Sequence, residues 1–306
     1  MQFNFPVRAL LARLAVILGG LLVIYILCVG AFSTVAKQSY RAPETAPATD
    51  QARAACMAEA LVQPLEEELD SLFGWLPNDL FLVPRIIDNK TSYQRGVVYA
   101  TRQASDVLAK AIARYGDRDT VPALLVSATS RDFAYAENVW GWWAIYNSEK
   151  RYRDGIDKWR QWASLVDSDN KKQAQIYNLT TNNVVEIINW ANSQMEFTLG
   201  VLNDVKVGHF QSDDVIYYVK GVCRVVDNVL EGLVQCDSSL VERGGKENVE
   251  EVLRRFHMIS QFNPVYVVAG SYGVGDSFWP NHIAAMARHI DIVSNRLTDI
   301  ARTMEK

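Results

Sequence analysis

The sequence is poor in the residues that hold metals and redox groups. It contains only four cysteines and four histidines, and none of them has the close spacing of a zinc site. Residues 270–275 are rich in glycine, but they lack the Lys-Ser/Thr pair of a phosphate-binding loop and the βαβ pattern around it. We therefore expect no metal and no cofactor.

Acidic side chains are absent from the N-terminal part, where the first 36 residues carry only Arg8 and Arg13 as charges. An uncharged apolar run begins at Leu14 and ends at Phe32. As a helix that rises about 1.5 Å per residue, this run is roughly 28 Å long, close to the thickness of a bilayer core. Residues 14–32 therefore predict a single transmembrane helix, with the lipid bilayer as its partner.

The charges around this run predict its orientation. Basic residues and no acids precede it, which favours a cytoplasmic tail at residues 1–13 and a body outside the cytoplasm. The alternative is a cleaved signal peptide, because residues 29–31 and 34–36 fit a small-residue cleavage site. The run is longer than the roughly 7–15 residues of a signal core, so we favour an uncleaved anchor.

A basic excess is also missing from the body. Removing Arg8 and Arg13 from the 31 basic residues leaves 29 against 35 acidic residues, a net charge of −6. Nucleic acid and anionic lipid surfaces both require a basic face. We therefore expect no nucleic-acid partner.

Strand patterns are scarce, and most of the body has helical period. Residues 33–50 are rich in Ala, Pro and Thr and predict a linker. Residues 51–306 predict an all-α domain, a bundle of about seven to nine helices in one unit or two packed halves. Pro64 is predicted to begin a new helix that ends at Gly74, and residues 264–270 predict a lone strand or a buried loop. The clearest helical segments are 52–62, 97–115, 184–202, 216–234, 249–259 and a last helix from about Pro280.

Two patterns have both a structural and a functional interpretation. In the last helix, apolar residues recur every seven positions from Ile283 to Met304, which is typical of a core helix or of a coiled-coil contact in a homo-oligomer. Residues 138–166 are dense in Trp and Tyr at helical spacing, which is typical of a core, or else of a glycan-binding surface. We favour the core in both cases.

Three cysteines lie outside the apolar run. Cys223 and Cys236 fall in one helical pattern and would be about 20 Å apart, too far to bridge. Cys56 could pair with either of them. Buried free thiols are the simpler interpretation, and a disulfide from Cys56 is the alternative.

Clustered Asn, Asp and His side chains are the candidate ligand-binding residues. Asn and Asp usually cap helices and shape turns, so a structural role is the simpler interpretation, and a pocket for a polar ligand or cation is the alternative. His209 with Asp213 and Asp214 could form an acid–base pair, although no nucleophile motif lies near them. The candidate ligand set is Asn78, Asp79, Asp88, Asn89, Asn281 and His282.

Several short motifs resemble those of a bacterial family of inner-membrane proteins known as domain of unknown function 2333. They are residues 74–79 (GWLPND), 88–89 (DN) and 94–96 (QRG), together with 276–282 (DSFWPNH) and 296–300 (RLTDI) near the C-terminus. After Gln94 this resemblance predicts an apolar residue, and the chain has Arg95 instead. The resemblance implies a mainly helical Gram-negative envelope protein that faces the periplasm, with no assigned activity.

Three hypotheses for function follow. The first is a non-enzymatic accessory or interaction protein, anchored in the inner membrane and facing a periplasmic or membrane protein partner. The second is a periplasmic module that binds a glycan or small ligand. The third is a hydrolase-type enzyme, which the absence of a combined nucleophile, base and oxyanion motif disfavours.

Overall fold

The computed structural model describes residues 7–32, 40–41, 46–72, 74–78, 88–115, 120–141, 147–167, 175–204, 211–236, 239–264, 267 and 281–305. A 3₁₀ turn spans Leu76–Asn78, a π-helical turn spans Ala128–Asp132, and β1 (Ala113–Tyr115) pairs antiparallel with β2 (Gln175–Tyr177). Within these ranges there are ten α-helices: α1 (Val7–Phe32), α2 (Asp50–Leu69), α3 (Asp88–Ile112), α4 (Ala123–Ser127), α5 (Ser148–Ser164), α6 (Thr181–Leu202), α7 (Ser212–Cys236), α8 (Ser239–Gly244), α9 (Lys246–Gln261) and α10 (His282–Met304).

Helix α7 is the centre of the body. It is buried along most of its length and packs against α2, α3, α6 and α9. Helix α5 packs on α2, and both α6 and α9 contact α10. One connected apolar core joins these helices, which confirms the predicted all-α class.

Two glycines let α3 and α7 cross at close range. A Cβ atom on Gly96 would lie 2.0 Å from the carbonyl oxygen of Tyr218. A Cβ atom on Gly221 would lie 2.1 Å from the carbonyl oxygen of Tyr93. Neither position has room for a methyl group, so the crossing depends on both glycines.

Helix α2 continues through Pro64, where the sequence predicts a new helix. Proline has no N–H, so the carbonyl of Ala60, one turn earlier, loses its helical partner. The side chain of Asn228 on α7 replaces it, since its Nδ2 donates to the Ala60 oxygen at 2.8 Å. The predicted break is therefore wrong, and the helix ends at Leu69 instead of Gly74.

Helix α1 contains the apolar run predicted to be a membrane anchor. From Leu10 to Ile24, every large apolar side chain is at least half exposed, up to 75% at Val16. Within the described part of the chain, no helix combines the length and apolarity needed to cross a membrane. The side chains of residues 25–32, the second half of the predicted span, lie outside the described residues.

The heptad pattern of the last helix faces the protein's own core. Its apolar positions from Ile283 to Met304 are buried, and α10 packs on α6 and α9. The aromatic segment also contributes to the core, because Tyr152, Trp159 and Trp162 are fully buried, whereas Trp140 is exposed. The core interpretation of the heptad pattern is therefore confirmed, and that of the aromatic segment is confirmed for these three rings.

The helix predicted at residues 97–115 needs correction, because it ends at Ile112 and residues 113–115 form β1. The ladder between β1 and β2 joins residues about 60 positions apart, which helical period does not indicate. Within the segment predicted as a linker, residues 33–50, Tyr40 and Arg41 contact α2. Apart from Pro264 and Val267, the segment predicted as a lone strand at 264–270 lies outside the described residues.

Candidate functional site

Four of the predicted ligand residues lie at helix starts. Asp88 is the first residue of α3, and its Oδ1 accepts a hydrogen bond from the N–H of Asn89 at 3.0 Å. Asn281 caps α10, with its Oδ1 accepting from the N–H of Ala284 at 2.9 Å. The capping role that Asn and Asp usually have therefore describes Asn281. Asp79 and the side chain of Asn78 lie outside the described residues.

Asp88, at the start of α3, lies near the carboxylates of Asp213 and Asp214 at the start of α7. Burial, followed by the nearby charges of Asp214 and Asp213, raises the pKa of Asp88 above its usual value. Ser92, one turn along α3, donates its hydroxyl to Asp214 Oδ1 at 2.7 Å. The start of α3 and the start of α7 thus form one acidic, hydrogen-bonded group.

Two turns further along α7 lies a buried lysine, Lys220, which is only 4% exposed. Its Nζ donates to the carbonyl oxygen of Phe262 at 2.9 Å and also to Asn263 Oδ1, at the end of α9. Burial lowers the pKa of Lys220 to about 7. A cation beside the carbonyls that end a helix is favourable, so Lys220 is first of all a cap for α9.

Tyr217 and His282 complete this region. The Tyr217 hydroxyl donates to the carbonyl oxygen of Pro264 at 3.1 Å, and the Lys220 Nζ lies 5.8 Å from the centre of its ring. Burial and the charge of Asp213 raise the pKa of Tyr217 to about 12. The His282 ring packs edge-on against Phe262 at 5.5 Å. We call the group Asp88, Ser92, Asp213, Asp214, Tyr217 and Lys220 the α7-start cluster.

The α7-start cluster is a candidate site because Asp88, Tyr217 and Lys220 have shifted pKa values and its residues come from two helices, α3 and α7. Asp88, Asp213 and Asp214 are half-buried, so their carboxylates can accept hydrogen bonds from a polar partner, whereas Lys220 lies buried behind them. Among the described residues, no group of three His, Cys, Asp or Glu side chains could hold a metal ion. Of the predicted acid–base pair, Asp213 and Asp214 lie here, and His209 is outside the described residues.

Sequence reasoning missed Lys220. The signal was nonetheless present, because Lys220 lies four residues after Ile216 and three before Cys223 on the apolar stripe of α7. A lysine on an apolar stripe is either a packing exception or a buried charge with a specific partner.

A second polar region joins the segment after α1 to the body, and we call it the tether contact. The Arg41 Nη2 donates to Glu67 Oε1 at 3.0 Å, and the Arg41 N–H donates to Gln63 Oε1 at 3.2 Å. The Tyr40 hydroxyl lies 3.5 Å from Cys56 Sγ. Burial and the charge of Glu231 raise the pKa of Tyr40 to about 12.

Beneath the tether contact is a buried charge pair. Arg224 is nearly inaccessible, and its Nη2 donates to Glu67 Oε2 at 3.3 Å while its Nη1 donates to Asn228 Oδ1 at 2.8 Å. Glu67 therefore links a buried arginine on α7 to the exposed Arg41 of the tether. A buried pair of this kind is costly to break from one side, because one charge is then left uncompensated.

A disulfide joins the same two helices. Cys56 on α2 is bonded to Cys236 on α7, across 180 residues of sequence, and Cys223 is a buried free thiol. The alternative pairing from Cys56 is thus correct for Cys236, and the interpretation of all three as free thiols is wrong. The spacing of the residues alone did not distinguish Cys223 from Cys236 as the partner.

Comparison with models of protein families tests the family resemblance that the short motifs suggest. Residues 6–204 match the family described as "Uncharacterized protein conserved in bacteria (DUF2333)". The chain belongs to this family. The match ends at residue 204, so the similar motifs at 276–282 and 296–300 lie beyond it. Neither the curated proteins nor the solved structures contain a match to the chain.

The structure explains the DUF2333-like motifs as packing devices. Gln94 is fully buried and holds the turn at residues 74–76. Its Oε1 accepts from the Leu76 N–H at 2.9 Å, and its Nε2 donates to the Gly74 oxygen at 2.8 Å and to Glu68 Oε2 at 3.0 Å. Gly74 has a φ of 59°, which favours glycine.

The neighbouring motif residues tie the same turn to the rest of the body. Trp75 is buried, and its Nε1 donates to the Glu137 carbonyl oxygen at 2.8 Å. Arg95, where an apolar residue was predicted, is 43% exposed in its side chain and pairs with the Glu137 carboxylate at 2.8 Å. A charged residue fits this position because it points to the surface. In this member of the DUF2333 family, these motif residues thus stabilise the fold.

Proposed function

We propose that this DUF2333 protein is a membrane-anchored interaction protein of the bacterial envelope, with its helical body on the periplasmic side of the inner membrane. The observation that carries the proposal is the exposure of α1, whose large apolar side chains from Leu10 to Ile24 are all at least half exposed. From Leu14 onward the helix carries no charged residue, and an exposed apolar surface of this kind requires an apolar environment, which a bilayer supplies. The uncharged run that continues to Phe32 supports the same role.

The tether contact supports a short connection between anchor and body. Tyr40 and Arg41 contact α2, so only residues 33–39 separate the seated tether from Phe32. A chain of this length spans at most about 28 Å at roughly 3.5 Å per residue. The body would therefore lie close to the bilayer.

The disulfide supports the periplasmic side. Stable disulfides form in oxidising compartments such as the periplasm and are rare in the cytoplasm. Cys56 and Cys236 join α2 to α7 directly below the tether. This agrees with the orientation that the basic residues before α1 predict.

The α7-start cluster would then be presented away from the tether. Asp213 and Glu231, whose carboxylate is near Tyr40, are separated by about 27 Å of helix at 1.5 Å per residue. The cluster is polar and charged, and it is formed where α3 and α7 begin. We propose that it contacts a periplasmic or membrane protein partner.

The anchor is tested by membrane extraction and a topology reporter. Native membranes are washed with alkaline carbonate, and alkaline phosphatase, which is active only after export, is fused to the C-terminus. We expect the full chain to stay in the pellet and the reporter to be active. Release into the wash, or a reporter active only as a cytoplasmic fusion, would contradict the proposal.

The partner contact is tested by cross-linking in native membranes followed by affinity purification. The variant Asp213→Asn with Asp214→Asn removes two negative charges from the cluster. The matched control, Glu247→Gln with Glu250→Gln, removes two from the outer face of α9. We expect a stoichiometric partner with the wild type and the control, and a loss of that partner with the cluster variant. Equal recovery from all three proteins would place the contact elsewhere.

A ligand-binding role is the second candidate, supported by an aromatic group on the surface. Tyr99, Phe197 and Tyr218 come from α3, α6 and α7, and the Tyr99 and Phe197 rings stack at 5.0 Å. Partly exposed stacked rings are suited to the apolar face of a sugar. Calorimetric titration with an N-acetylglucosamine oligosaccharide tests this role. If the wild type binds the oligosaccharide and Phe197→Ala binds it more weakly, the ligand-binding role is supported. If the titration gives no heat of binding, the role is contradicted.

A further inference from the structure

A polar cleft of about 390 Å³ lies at the end of α7 opposite the α7-start cluster. Two exposed arginines, Arg53 on α2 and Arg243 on α8, line it. Buried Val184 and Cys236 contribute apolar surface. The volume is within the range of pockets that hold small molecules.

The charges of the cleft favour an anion. Within the described residues, Arg243 has no carboxylate partner, and its Nη1 donates to the hydroxyl of Thr181. Arg53 has only a long contact of 3.5 Å with Asp50 Oδ1, and Asp50 lines the same cleft. Two guanidinium groups against one carboxylate leave a net positive charge among the ionised side chains of the cleft.

Several neighbouring polar groups suit an oxyanion in particular. Asn178 lines the cleft, and Thr181 begins α6, where the positive end of the helix dipole adds to the arginine charges. Arginine binds phosphate oxygens with two parallel N–H groups, which is stronger and more specific than a single charge contact. We propose that this cleft binds a phosphate group.

The position of the cleft offers two sources for this phosphate. Cys236 lines the cleft, and its disulfide partner Cys56 contacts the Tyr40 hydroxyl of the tether contact. The disulfide therefore connects the cleft to the segment that follows α1 in the chain. The phosphate could belong to a phospholipid headgroup of the adjacent bilayer or to a soluble phosphorylated compound.

The test uses the full chain in a non-ionic detergent, titrated with inorganic phosphate by calorimetry against chloride at equal ionic strength. We expect saturable binding that Arg243→Gln weakens roughly tenfold or more, as for the loss of a charged hydrogen bond. Asp50→Asn should tighten binding, because it removes the opposing charge. The control Arg254→Gln, which removes an exposed arginine paired with Glu251 on α9, should leave the affinity unchanged.

The outcomes separate the proposal from its rivals. An absence of saturable binding, or an equal affinity in the wild type and Arg243→Gln, overturns the site. Damage to the fold would only weaken binding, so the tightening expected for Asp50→Asn is a result that damage cannot produce, and unfolding in urea checks that Arg243→Gln is as stable as the wild type.

A second arm of the experiment identifies the source. The full chain is placed in nanodiscs of phosphatidylglycerol, and the phosphate titration is repeated. Lost phosphate binding in the nanodisc supports the site with a lipid headgroup as occupant, and retained binding supports it with a soluble phosphate compound. The measurement in detergent does not depend on the anchor, so its failure is distinguishable from failure of the proposed membrane role.

Discussion

Lys220 is the residue whose charge state is most sensitive to its surroundings. Burial lowers its pKa to about 7 in the folded chain, against about 10.4 in an unfolded one. Between these values the unfolded chain binds more protons, so the free energy of unfolding rises with pH, by at most about 1.4 kcal/mol per unit. We expect Lys220→Met to remove this rise between about pH 7 and pH 9.5 in urea unfolding.

The control for this prediction is Lys246→Met, which removes an exposed lysine from the start of α9. It should keep the wild-type slope. Tyr217, which faces Lys220, has its pKa raised to about 12 and therefore contributes little below pH 9.5. A wild-type slope in Lys220→Met would mean that Lys220 is charged throughout this range.

Gln94 is the residue on which the DUF2333-like turn depends. Replacing it with Met keeps the shape of the side chain but leaves the Leu76 N–H, the Gly74 carbonyl and the Glu68 carboxylate without their shared partner. We expect Gln94→Met to lower the free energy of unfolding by about 2–4 kcal/mol, as measured in urea. Gln103→Met, on the same helix, should change it by less than about 1 kcal/mol. Similar losses in both variants would show that the hydrogen bonds of Gln94 have no special weight.

At the scale of the elements, α3 and α7 cross so closely that no side-chain atom fits between their backbones at Gly96. Gly96→Ala would place a methyl group 2.0 Å from the Tyr218 carbonyl oxygen, so the two helices would have to separate. We expect a loss of at least 2 kcal/mol in the free energy of unfolding, roughly as for overpacking of a core. The matched control is Gly200→Ala on α6, where no atom lies within 4 Å.

The control should move in the opposite direction. Alanine is favoured over glycine inside a helix by roughly 0.5–1 kcal/mol, so Gly200→Ala should stabilise the protein. Thermal and urea unfolding of both variants measure the two effects. Stabilisation by Gly96→Ala would mean that α3 and α7 do not cross at this distance.

The elements also show which parts of the fold the sequence could predict. Segments with a clear helical period were found within a few residues, for example 184–202 against Thr181–Leu202 and 249–259 against Lys246–Gln261. Such helices can be predicted because the helical spacing of their apolar residues is a property of the local sequence alone. The continuation of α2 through Pro64 was missed because it depends on Asn228, a residue more than 160 positions away.

The same reasoning applies to the candidate sites. A helix cap such as Asn281 could be predicted, because Asn has a local preference that acts within one turn. The seating of Arg41 on Glu67 and the choice of Cys236 as the partner of Cys56 could not, since both depend on how α2 lies against α7. Lys220 had a local signal, but its partners Phe262 and Asn263 lie directly after α9, more than 40 positions along the chain.

On the scale of the whole molecule, α7 connects two chemically different ends. One end carries the α7-start cluster with carboxylates and Lys220, and the other carries the tether contact, the disulfide and the cleft lined by Arg53 and Arg243. A body fixed near the membrane at one end would present the other to the periplasm. The disulfide is the covalent link that holds the tether end together, so its removal should affect the stability of the entire body.

The disulfide therefore yields the prediction for the whole chain. Cys56→Ser with Cys236→Ser should lower the free energy of unfolding by about 3–5 kcal/mol, because the cross-link closes a loop of 180 residues. A reductant should lower the wild type to the level of this variant and leave the variant itself unchanged. Of the four cysteines, we expect two to react in the unfolded wild type without reductant and all four with it. Four reactive thiols without reductant, in protein purified from intact cells with thiols blocked at lysis, would show that the bond does not form and would remove the disulfide as support for a periplasmic body.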